Sequence, residues 1–129
     1  MSPRTVLIVD DSPQFRELIR TVLAGLVDEV NECADGDEAV AAYAAQRPDW
    51  VLMDLQMARM GGLEATRRLR AGDPAARVLI VADYDDVHWR AAAIEAGACG
   101  YVLKDNLLDV RRLLASRDSR RRSEHEGDR

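Results

Sequence analysis

Five short apolar runs alternate with five stretches of helical periodicity along this chain. Thr5 to Asp10 (TVLIVD) is continuous and ends in acid, the pattern of a strand buried on both faces. Ser12 then offers an N-cap with Pro13 at the first helical position. Phe15, Leu18, Ile19, Val22, Leu23 and Leu26 recur at helical spacing, and Gly25 lies near the helix end. Val27 to Cys33 is a more polar strand, expected at a sheet edge. Ala34 to Asp37 is a turn, and Glu38 to Gln46 is an alanine-rich helix stopped before Pro48. Asp49 to Asp54 (DWVLMD) is a second buried strand ending in acid. A loop from Gln56 to Gly62 leads into a helix over Leu63 to Arg70. Arg77 to Ala82 (RVLIVA) is the fourth strand. Asp85 or Asp86 caps a helix running to about Ala96, with Gly97 as its stop. Cys99 to Leu103 is the fifth strand. A last helix covers Asn106 to about Arg117, carrying Leu107, Val110, Leu113 and Leu114.

Strand followed by helix, five times over with short connections, predicts a parallel sheet with helices on both faces. The fold class expected is α/β, a doubly wound five-stranded sheet in the order 2-1-3-4-5, a flavodoxin-like (βα)5 arrangement. Ligands in such sheets bind beyond the carboxyl ends of the strands, at the switch point between strands one and three. Those two strands end in Asp10 and Asp54.

Composition narrows the picture. The 129 residues are 47% hydrophobic and 32% charged, enough for one domain with a proper core. We place that domain at 1–117 and a charged tail or linker start at 118–129. Arg120, Arg121 and Arg122 there are followed at once by Glu124, Glu126 and Asp128, which favours a solvated tail over a nucleic-acid contact. A net charge of −5 argues against nucleic-acid binding by the domain itself. No apolar run approaches the roughly 20 residues that span a bilayer. The start, MSPRTVLIVDD, is no signal peptide. Cys33 and Cys99 are too few for a disulfide framework or a metal cage, and read as reduced thiols of a cytoplasmic protein.

Chemistry concentrates in four residues. Asp10, Asp11 and Asp54 follow apolar strands, and so does Lys104, the single lysine of a chain whose other long cationic side chains are all arginine. One such acid alone would be a cap or turn residue. Four together at strand ends describe a pocket in which three carboxylates need a cation. Oxygen ligands with room for water favour Mg2+. Asp54, alone at the end of the central strand, is the natural nucleophile. Asp10 and Asp11 would hold the metal directly or through water, with the Gln56 backbone carbonyl as a further ligand. Lys104 would pair with Asp54 at rest and then with an incoming phosphoryl oxygen.

IVDDS (Ile8–Ser12), MDLQM…GGLEAT (Met53–Thr66) and GYVLKD (Gly100–Asp105) resemble the receiver domain of two-component response regulators. The likeness covers roughly Arg4 to Arg117. GYVLKD is most similar to the subgroup that carries a LuxR-type helix-turn-helix after the receiver, a domain not found in these residues. The resemblance implies that Asp54 accepts a phosphoryl group from a sensor histidine kinase or phosphotransfer protein. It implies that Lys104 contacts that group and that Tyr101 is the switch aromatic. It also implies that phosphorylation changes the face of helix four, strand five and helix five, through which a homodimer could form.

The chain departs from that pattern at Ala82, where the family has Thr or Ser. A hydrogen bond to a charged group contributes roughly 1.5–3 kcal/mol. Its loss would weaken the active state ten- to a hundredfold or more, while the space left by alanine would let Tyr101 sit inward without phosphate. Asp83 and Tyr84 follow as candidate modulators. Turned inward, Asp83 would leave the pocket negative even with Mg2+ bound, whereas strand alternation turns it outward. Ala58 and Asp105 stand where the family often has proline, so the 56–60 loop should be freer and the Lys104–Asp105 bond trans. His88 is expected to be exposed, and His125 to lie in the tail. Trp89 and Ile94 fit either a partner surface or a core contact. Three functions follow: a phosphoacceptor switch; a phosphorylation-independent receiver-like interaction or dimerisation module; and a small magnesium phosphohydrolase, which the short connections disfavour.

Overall fold

A computed structural model describes residues 4–116. The strands are β1 (Thr5–Val9), β2 (Glu29–Cys33), β3 (Trp50–Asp54), β4 (Val78–Ala82) and β5 (Gly100–Leu103). Between them run α1 (Pro13–Leu23), α2 (Gly36–Gln46), α3 (Gly62–Gly72) and α4 (Val87–Ala96), and α5 occupies 108–116. All strand pairs are parallel, in the order β2-β1-β3-β4-β5, with the polar strand β2 at one edge as expected. Residues 117–129, with the expected tail and His125, lie outside the described residues.

Alternation along the strands builds two cores, one per sheet face. Leu7, Val9, Val51, Met53 and Ile80 pack with Ala39 and Tyr43 of α2, Ala65 and Leu69 of α3 and Ala93 of α4. Val6, Ile8, Leu52 and Val81 pack with Ile19 and Leu23 of α1 and Val110 and Leu114 of α5. Every residue of β3 and β4 is buried, which is why both read as unbroken apolar runs. Among the described residues, Trp50 is the largest fully buried side chain and its indole N–H has no hydrogen-bond partner; the Arg77 guanidinium lies 4.7 Å from its ring centroid.

Element ends differ from the sequence pattern by one or two residues. Ser12 caps α1 through the Phe15 amide, with Pro13 inside the first turn, and Gly25 takes φ +84° just past the helix. Asp86, not Asp85, caps α4, accepting the amides of His88 and Trp89, and Gly97 ends it at φ +105°. No peptide bond is cis among the described residues, so the Lys104–Asp105 bond is trans. Cys33 is buried but Cys99 is only partly so. Among the described residues no helix is long and apolar enough to cross a membrane.

Candidate functional site

The sheet register brings the chemistry together. Val9 stands opposite Met53, Asp54 opposite Val81, and Ala82 opposite Leu103. The residues that follow β1, β4 and β5, and the last of β3, therefore emerge along one rim. Two main-chain links extend it: Asp10 N–H donates to the Cys33 carbonyl at 3.1 Å and Lys104 N–H to that of Ala82 at 2.7 Å.

Asp10, Asp11 and Asp54 each offer a carboxylate oxygen within 4.8 Å of the other two. Asp10 and Asp54 are buried and Asp11 is exposed. Ser12 N–H donates to Asp10 Oδ1 at 2.8 Å and Leu55 N–H to Asp54 Oδ1 at 2.9 Å, fixing both rotamers. Lys104 Nζ lies 2.9 Å from Asp10 Oδ2, 3.3 Å from Asp54 Oδ1 and 3.9 Å from Asp83 Oδ1. The expected pairing with Asp54 is present, but Asp10 is the nearer partner. The ammonium also sits 4.5 Å from the Phe15 ring centroid, so α1 supplies the apolar wall behind it.

Electrostatics agree with the geometry. Burial, and then the charge of Asp10, push the Asp54 carboxyl up to about 6 against the pull of Lys104. Burial alone would lower Lys104, but its bond to Asp10 and the charges of Asp54, Asp10 and Asp83 hold it above its ordinary value. One ammonium does not neutralise three acids. The donor set is hard oxygen at a partly open rim, which fits a divalent cation of the Mg2+ kind.

Ala82, at the end of β4, is buried and carries a methyl group in place of a hydroxyl. Asp83 is 58% exposed, as alternation requires, yet its carboxylate still faces Lys104. Tyr101 is partly buried against the α2–α4 core, and its hydroxyl donates to the Tyr84 backbone carbonyl at 2.8 Å. The Arg90 guanidinium covers its ring at 4.7 Å. Burial raises the Tyr101 hydroxyl. The Tyr84 side chain is exposed, so this residue acts here through its carbonyl. Gln56 is exposed and borders a small cavity with Asp54, Leu55, Asp83, Tyr84, Trp89 and Tyr101. Trp89 is 38% and Ile94 63% exposed, which places Ile94 on the surface. His88 is exposed.

Two contributors escaped the sequence pattern. Phe15 read only as a core position of α1. Asp35 read as a turn residue, but it is buried, and its carboxylate binds main-chain amides of the loop after β3. The sequence shows it only as one of two acids in the Ala34–Asp37 turn, because α2 starts at Gly36 rather than at Glu38.

Residues 6–116 match the model of the response regulator receiver domain. The chain belongs to that family. Response regulator MprA of Mycolicibacterium vanbaalenii is 36% identical over 107 residues, covering 83% of this chain and 46% of that protein. The crystal structure of a two-component response regulator of the LuxR family from Aurantimonas sp. SI85-9A1 is 36% identical, with a TM-score of 0.78 over 89% of this chain and 87% of that one. A CheY-like receiver domain protein from Methanospirillum hungatei, 22% identical, shares the fold with a TM-score of 0.86 over 95% and 99% of the two chains. The receiver spans under half the length of the first curated relatives it matches, which are transcriptional regulatory proteins.

Proposed function

We propose that this receiver is a phosphoacceptor switch in two-component signalling, with Asp54 as the acceptor. The observation that carries the proposal is the buried Asp54 carboxylate, 3.3 Å from the only lysine and grouped with Asp10 and Asp11. An Asp54 oxygen would attack the phosphorus of a phosphohistidine on a sensor histidine kinase or phosphotransfer protein. The O–P bond forms, the N–P bond breaks, and the imidazole nitrogen keeps the electron pair. Asp10, Asp11, Asp54 and the Gln56 carbonyl are the candidate holders of Mg2+, which would offset carboxylate charge and draw the phosphoryl oxygens. Lys104 would move from its two carboxylates to a phosphoryl oxygen. Leu55 N–H orients the nucleophile. Beyond formation and loss of its own acyl phosphate, the domain is proposed to catalyse no reaction, and to act in the cytoplasm.

Ala82 sets the strength of the switch. Its side chain would donate nothing to the phosphoryl group, so the response at Tyr101 and the α4–β5–α5 face would rest on Lys104 and Mg2+. Restoring the hydroxyl in Ala82→Thr should enlarge the amide chemical-shift changes that beryllofluoride and MgCl2 produce near Tyr101 and Tyr84. An unchanged response would discard this role for position 82. The proposal as a whole is tested by the same titration of the wild type. Shifts at Lys104, Leu55 and Tyr101 are expected. Metal-induced shifts with no further effect of beryllofluoride would instead favour a phosphorylation-independent interaction module.

A further inference from the structure

The loop from Leu55 to Gly61 carries Gln56, and its far end is held from a different part of the sheet. Asp35, between β2 and α2, is only 4% exposed. Its two carboxylate oxygens each accept a main-chain N–H of that loop, from Arg59 and from Met60, both at 2.8 Å. A third, longer bond at 3.4 Å comes from Asp37 N–H at the start of α2. The clasp closes in the other direction as well: Gly36 N–H donates to the Met60 carbonyl at 3.2 Å. Gly36 has no room for a side chain, since a Cβ there would lie 2.5 Å from that carbonyl oxygen. On the surface above, Arg59 Nε reaches Asp37 at 2.8 Å and Nη2 reaches Glu38 at 3.2 Å.

We infer that Asp35 is a positioning residue for the acidic pocket. By fixing Arg59 and Met60, it holds the loop in the one path that keeps the Gln56 main chain beside Asp54. The near end of the loop is already fixed by Leu55 N–H on Asp54 and by Gly62 N–H on the Leu55 carbonyl at 2.8 Å. With Ala58 inside it, the loop has no proline to restrict its path, and the clasp supplies that restriction. Charge-assisted bonds to a carboxylate are the stronger kind, and two of them converge here. The inference rests on the metal-binding role proposed above and names a residue that touches neither the metal nor Asp54.

The test uses Asp35→Asn and Gly36→Ala in the described chain, with MgCl2 as the probe. Asparagine caps helices about as well as aspartate, so the variant should keep α2 and stay folded. It offers one acceptor oxygen to two facing N–H groups, so one loop amide loses its partner. Amide exchange at Arg59 and Met60, measured without metal, should quicken in Asp35→Asn. The Mg2+ dissociation constant, followed by amide shifts, should rise about tenfold, the scale of changes in groups that orient metal ligands. Gly36→Ala pushes on the same loop from the other partner and should act in the same direction. Arg59→Ala removes only exposed ion pairs and should stay within about twofold of wild type. Unchanged Mg2+ affinity in both Asp35→Asn and Gly36→Ala, with wild type binding normally, overturns the inference and leaves the proposed function standing. A wild type without any Mg2+ response at Asp10, Asp11 and Asp54 overturns the proposed function and this inference with it.

Discussion

Asp54 is the proposed acceptor, and its surroundings in the fold disfavour its charge. Its carboxyl titrates near 6 in the fold against an ordinary 3.8, because burial and Asp10 disfavour its charge. Between about pH 4 and 6 this carboxyl therefore holds more of its proton in the folded chain than in the unfolded one. Stability contributed by this group falls as pH rises through that window, by up to about 3 kcal/mol. Asp54→Asn should remove that fall. Urea unfolding in EDTA at pH 4.5 and pH 7 should show the variant gaining on wild type at the higher pH; a constant difference would contradict the account. The acids at 10 and 54 and the amine at 104 were legible because each follows an apolar strand. Asp35 was not, because its partners are main-chain amides whose residue types leave no mark. The primacy of Asp10 as the partner of Lys104 was hidden for a similar reason, since it depends on rotamers set by Ser12 and Leu55 amides.

At the scale of elements, α4 joins the pocket to the surface. Asp86 Oδ1 accepts the amides of His88 and Trp89 at 2.8 and 3.0 Å, so this cap fixes where the helix begins. Just before it, the Tyr84 carbonyl holds the Tyr101 hydroxyl. Asp86→Ala should lower stability by about 0.5–2 kcal/mol in chemical denaturation, the usual cost of a lost N-cap. It should also disturb the Tyr84 and Tyr101 resonances more than those of β1; an undisturbed Tyr101 would mean that its contact does not depend on the cap. Sequence periodicity found α4 and its stop at Gly97 but left Asp85 and Asp86 equal as caps. Either acid suits the position, and only the path of the chain after β4 decides between them. Asp85 instead pairs with Arg90 at 2.7 Å. Alternation sent Asp83 outward correctly. It did not register that a long lysine crossing the rim could still lie 3.9 Å away.

At the scale of the whole molecule, one sheet with two cores accounts for the site. The order β2-β1-β3-β4-β5 places β1 beside β3, and register then aligns the ends of four strands. This architecture was legible because β3 and β4 are buried on both faces and so read as continuous apolar runs. The exposed side of α4 and of the loop before it was less legible: Tyr84, Val87 and Ile94 are apolar or aromatic by type yet face solvent. On the function we propose, Asp54 accepts a phosphoryl group in a metal-dependent pocket at that rim. The most direct measurement is the intact mass of the protein after incubation with acetyl phosphate. One added phosphoryl group is expected with MgCl2, and none in EDTA or in Asp54→Asn. A wild type that stays unmodified with MgCl2, or an Asp54→Asn variant modified to the same extent, would contradict the account.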